Sequence, residues 1–149
     1  MKFDKIILLG VAILAASPLP LEAKSRKGKG DVTVAVFSLN DFHGGFVRND
    51  YKNIPGAPAV WQTLDSLKSV YPYNVTVAAG DNFGGSFFYA ATKGVLLPVF
   101  YNDLGIRLSA LGNHEFDNGM EALAEQWRGV NAEKLSTNYD MRGTPLDTL

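Results

Sequence analysis

The stretch NVTVAAGDNFGGS, Asn74 to Ser86, decides the fold class. Its first half is β-branched and apolar, which marks a strand over Asn74–Asp81. It then breaks at Gly80-Asp81 into a polar, glycine-rich cluster. The same grammar appears on either side. Upstream, DVTVAVFSLND is almost continuously apolar from Val32 to Leu39 and runs into NDFHGG at 40–45. A strand buried on both faces, in a sheet covered by helices, has this pattern. Downstream, IRLSALGN predicts a third strand and runs into GNHEFDNG at 112–119.

Helical periodicity fills the intervals. Val60, Trp61, Leu64, Leu67 and Val70 recur at three- and four-residue steps and predict an amphipathic helix over Ala59–Val70, with Pro58 in its first turn and Pro72 beyond its end. GVLLPVFYNDLG predicts a helix that tolerates Pro98 near its start, and NGMEALAEQWRG one capped by Asn118 and ended at Gly129. KLSTNYD, 134–140, begins a fourth strand. Alternating strands and helices predict an α/β fold, a mostly parallel sheet with flanking helices.

Composition narrows the class. The 149 residues are 46% hydrophobic and 19% charged, with a formal charge of −1, which is ordinary for one globular domain. No broad basic surface is available for a nucleic-acid polymer. The N-terminus carries Lys2 and Lys5, an apolar run from Ile6 to Ala16, then Pro18, Pro20 and Ala23. That run is too short to span a bilayer, which takes ~20 residues. It fits a secretory signal peptide over 1–23, cleaved after Ala23, with KSRKGKG in a flexible linker over 24–31. Periplasmic or secreted localisation follows. There are no cysteines, so neither a lipid-modified N-terminus nor a disulfide framework is available.

Parallel strands deliver all three polar clusters to one edge, outside the carboxyl ends of the strands, where open α/β sheets bind ligands. Asp41 and His43, at i and i+2 on an extended segment, would face the same way. Taken alone they fit either a turn or the first half of a divalent-metal site. Gly44 and Gly45 would keep space open beside them. Asp81 could cap a helix or bridge two metal ions ~3.5–4 Å apart. Asn113 offers an amide oxygen, and Asp117 could bind one nitrogen of His114, fixing its tautomer. Glu115 reads as a solvated surface carboxylate, and Phe42, Phe83 and Phe116 as packing around the site.

Together, LNDFHGG, GDNFGGS and ALGNHEFDNG resemble the metallophosphoesterase (calcineurin-like) superfamily, and within it the bacterial 5′-nucleotidase branch. That branch also holds nucleotide-sugar hydrolases and 2′,3′-cyclic phosphodiesterases. The resemblance covers roughly Val32 to Tyr139. It implies the first part of a metallophosphoesterase βαβ sandwich and hydrolysis of phosphate esters, nucleotides above all, with two divalent ions (Zn, Mn, Fe or Co). Asp41 and His43 would bind the first metal, Asp81 both, and Asn113 the second metal and the substrate phosphate. His114, paired with Asp117, would touch the phosphate as proton donor or charge stabiliser. Two dications make hydroxide available near neutral pH. The family completes its metal shells with downstream histidines, and this sequence has none after His114. Residues 32–149 are therefore expected to be an incomplete N-terminal part of the catalytic domain, weakly active or inactive alone. A non-catalytic metal- or phosphate-binding protein is the alternative of a different class.

Overall fold

A computed structural model describes residues 32–149 and, ahead of them, the backbone of Ile7–Leu8. The linker and the rest of the expected signal peptide lie outside the described residues. Four strands carry the domain: β2 (Ala35–Leu39), β3 (Asn74–Ala78), β4 (Ile106–Ala110) and β5 (Glu133–Leu135). They pair in sequential order, and every pair is parallel. Ile7–Leu8, as β1, adds two residues at the β2 edge. Parallel neighbours need crossovers, and α1 (Ala57–Val70), α2 (Phe87–Thr92) with α3 (Leu96–Asp103), and α4 (Met120–Arg128) supply them. No helix among the described residues is long and apolar enough to cross a membrane.

The two faces of β2 differ. Ala35, Phe37 and Leu39 are buried, whereas Val36 and Ser38 are half-buried and Val32 and Val34 lie exposed before the strand begins. The expectation of a strand buried on both faces is corrected to one dry face. The core joins Leu39, Ala78 and Ile106 of the sheet to Leu97, Phe100 and Tyr101 of α3 and to Leu123 and Trp127 of α4. Fully burying such side chains contributes about 1.5–3 kcal/mol each. Helix α1 is the looser layer: of its apolar stripe only Val60 is buried, and Trp61 and Val70 are exposed.

Capping differs from expectation at two places. Helix α4 starts at Met120 with Gly119, φ +86°, in the capping position and no side-chain cap, so Asn118 does not cap it. The missed helix α2 is too short to show periodicity. Ser86 fixes it, the Oγ accepting from the Tyr89 N–H at 2.9 Å.

Candidate metal centre and proton-donor pair

Strands β2, β3 and β4 end side by side, and their next residues build the site. Backbone pairing continues beyond β2 and β3: Asp41 N–H donates to Gly80 O (3.1 Å), His43 N–H to Asp81 O (3.1 Å) and Gly44 N–H to Asn82 O (3.0 Å). The chain there is no longer extended. Asp41, His43 and Asp81 have φ of +54°, +48° and +54°, a left-handed conformation uncommon outside glycine. Asp41 and His43 therefore come together through this turn, not through strand alternation. His43 Nε2 lies 3.8 Å from Asp41 Oδ1, whose partner oxygen accepts from Asn40 Nδ2 at 2.6 Å. Backbone strain of this kind persists where surrounding structure over-determines it, and it gathers at functional sites.

His43, Asp81 and His114 each offer one ligand atom, and the three atoms lie within 4.8 Å of one another. The His43 and His114 rings meet edge to face, with centroids 4.8 Å apart. Tetrahedral donors ~2.0–2.2 Å from a single ion stand ~3.3–3.6 Å apart, so the group would have to draw in by about an ångström to close on one cation. Two imidazoles and a carboxylate suit zinc and other first-row divalent ions. Asp41 stands at the exposed rim of this group. Asn113 is exposed at the start of the single turn His114–Phe116, and its side chain makes no capping bond there.

His114 is held from two sides. Its N–H donates to Asp81 Oδ1 at 3.0 Å, and its Nδ1 lies 2.9 Å from Asp117 Oδ2. The hydrogen bond to Asp117 holds the imidazole above its ordinary pKa. The negative charges of Asp117, Asp81 and Glu115 push the same way, against some desolvation. With Nδ1 engaged, Nε2 is the ring nitrogen left to meet a ligand.

Glycines set the spacing by close approach. A Cβ on Gly84 would lie 2.7 Å from Asp117 Oδ2, one on Gly85 2.7 Å from His43 Cβ, and one on Gly112 would overlap Asp81 Oδ1. Gly44, expected to hold space open, instead lets Tyr89 pack close: a Cβ there would meet that residue's Cβ at 2.6 Å. Phe83 is buried, while Phe42 and Phe116 pack against the core at its margin. A cleft of about 800 Å³ opens beside Asp41 and His43, with Arg48, Lys52 and Phe87 along its wall.

Glu115 overturns the expectation of a solvated carboxylate. It is 3% exposed. Oε2 accepts from the N–H groups of Gly112 (2.7 Å) and Asp81 (2.9 Å), and Oε1 from those of Asn82 (2.8 Å) and Phe83 (3.3 Å). Asn82, fully buried, was also missed. It accepts from Phe42 N–H at 3.3 Å and donates to Leu39 O at 3.4 Å, tying the loop after β3 to the one after β2. Burial of charged and amide side chains is rare, and no local pattern announces it.

No protein-family model matches the chain. It is 32% identical over 96 residues to a 5′-nucleotidase of Bos taurus, covering 64% of this chain and 17% of that protein. It is 28% identical over 131 residues to an apyrase of Anopheles gambiae, covering 78% of this chain and 23% of that protein. The fold is similar to the crystal structure of a 5′-nucleotidase precursor from Thermus thermophilus. The TM-score is 0.62 at 27% identity, over 72% of this chain and 24% of that one. The chain thus spans less than a quarter of the length of each relative. Its homologues are 5′-nucleotidases and apyrases, hydrolases of the metallophosphoesterase/5′-nucleotidase family, and its structural neighbours match it over their N-terminal part.

Proposed function

We propose that residues 32–149 form the N-terminal part of a metallophosphoesterase catalytic domain, behind a signal peptide (1–23) and a linker (24–31). The protein they belong to would hydrolyse phosphate esters of nucleotides, in the periplasm or outside the cell. The observation that carries this reading is the convergence of His43, Asp81 and His114, with Asp117 on the far nitrogen of His114. The homologues' chemistry supports the nucleotide as substrate class.

Asp41 and His43 would hold one divalent ion, Asp81 would share both, and Asn113 would hold the second and reach the substrate phosphate. Bound there, the ions would neutralise phosphate oxygens and supply hydroxide at neutral pH. The protein's own share is proton placement. Asp117 keeps the His114 Nδ1 proton in place and the imidazole readily charged, so that Nε2 can deliver a proton to the leaving oxygen. A positioned acid contributes typically ~10²–10⁴ in rate. A protein that only bound metal or phosphate would have no use for this pair. The donors on the described residues number two or three per ion, so full shells call for further ligands.

The test is hydrolysis of AMP and of a chromogenic phosphate ester with Mn²⁺ or Zn²⁺, on protein extended beyond Leu149. Metal-dependent phosphate release is expected, with His114→Ala slower by about 10²-fold or more. Unchanged turnover in that variant would remove the proton-donor role.

A further inference from the structure

We infer that Glu115 is a positioning residue of this site. Its buried carboxylate sets how far the loop after β3 stands from the turn after β4, and so how His43 and Asp81 meet a divalent cation with the proton-bearing His114 beside it. The inference rests on reading that group as a cation site. Among the described residues, every hydrogen bond Glu115 makes through its side chain is to backbone, so it acts through other residues.

The geometry is unusually determined. An ionised carboxylate offers about four lone-pair sites, and four N–H groups fill them. Three donors, Asp81, Asn82 and Phe83, are consecutive, and converging amides of this kind form an anion-binding concavity. Here the chain's own side chain occupies it. The fourth donor, Gly112, belongs to the other loop. Removing any one oxygen would leave buried N–H groups unpaired.

The clamp is also reciprocal. Glu115 Oε2 accepts from the Asp81 N–H, while the Asp81 carboxylate accepts from the N–H of His114, the neighbour of Glu115. The two loops therefore cannot separate or slide without breaking bonds on both carboxylates. Asp81, a candidate ligand, and His114, the candidate proton donor, both sit inside that loop of bonds.

The experiment compares the 149-residue protein with Glu115→Gln and Asp81→Asn. Mn²⁺ binding is followed by calorimetry, folding by far-UV circular dichroism, and amide exchange by NMR in EDTA. A carboxamide has the same shape but turns an NH₂ towards two of the N–H donors. Glu115→Gln is expected to keep its secondary structure and bind Mn²⁺ ~10–100-fold more weakly, as happens when a residue that orients metal ligands is changed. Its Asp81, Asn82 and Gly112 amides should exchange faster than in the wild type. Wild-type affinity together with wild-type protection in Glu115→Gln overturns the inference. If the wild type itself binds no Mn²⁺, as Asp81→Asn is expected not to, the cation reading of the site falls. The amide exchange then decides the role of Glu115 by itself. If Glu115→Gln does not fold, Glu115→Ala in sodium formate replaces it, since formate supplies two oxygens to the same four amides. Mn²⁺ affinity that rises with formate supports the inference, and affinity indifferent to formate overturns it.

Discussion

His114 Nδ1 stands 2.9 Å from Asp117 Oδ2, with the two side chains 40% and 43% exposed. Exposure weakens any contribution to stability, yet the contact still fixes which ring nitrogen is free. In EDTA-treated protein the His114 imidazole should titrate above its ordinary value of 6.5, and Asp117→Asn should move it down towards that value. The pair's contribution to stability is complete below about pH 6.5 and fades as pH rises through the raised folded-state value. Carbon-detected NMR of the ring gives both midpoints. Identical midpoints in the two proteins would mean that the contact does not form in solution.

Divalent cations should stabilise the protein through Asp81. At Mn²⁺ of about 100 times its dissociation constant, the gain is about 2.7 kcal/mol. A thermal melt with and without EDTA reads it as a rise in midpoint. Asp81→Asn should abolish the rise. A variant that still responds to Mn²⁺ would place the ion elsewhere.

Gly112 has no room for a methyl group, because a Cβ there would overlap Asp81 Oδ1. Gly112→Ala should destabilise by about 1–3 kcal/mol and weaken Mn²⁺ binding. Gly143 offers the contrast: its φ is +73° but nothing lies within 4 Å of the would-be Cβ. Gly143→Ala should cost about 1–2 kcal/mol through backbone strain alone and leave Mn²⁺ affinity as it was. Urea denaturation and calorimetry separate the two effects.

Thr76, on β3, is 3% exposed, and its Oγ1 has no hydrogen-bond partner among the described residues. An orphaned hydroxyl in a sheet interior is a standing cost. Thr76→Val keeps the shape and β-branching and should raise stability by about 1 kcal/mol. A loss in urea denaturation would show that the hydroxyl is bonded after all.

The strands and their order were legible because β-branched apolar runs and helical periods are local signals. The meeting of three clusters at one edge followed from parallel pairing alone. What escaped was set by contacts between loops. Glu115 lies in a mostly polar run, Asn113 to Asn118, and only the N–H groups of 81–83 and 112 make its burial tolerable. The approach of Asp41 to His43 was expected for the wrong reason. Alternation along a strand says nothing once φ turns positive at both residues. Helix α2 depends on one serine hydroxyl, a single residue that periodicity does not weigh.

The sequential strand order has a consequence for how the protein folds. Each candidate donor comes off a strand one crossover from the next, so nothing in the group waits for a distant part of the chain. His43, Asp81 and His114 can come together as soon as β4 docks on β3, ahead of any contribution from α4 or β5. A cation captured at that moment would serve the folding chain as a template, joining three loops before the far edge of the sheet is in place.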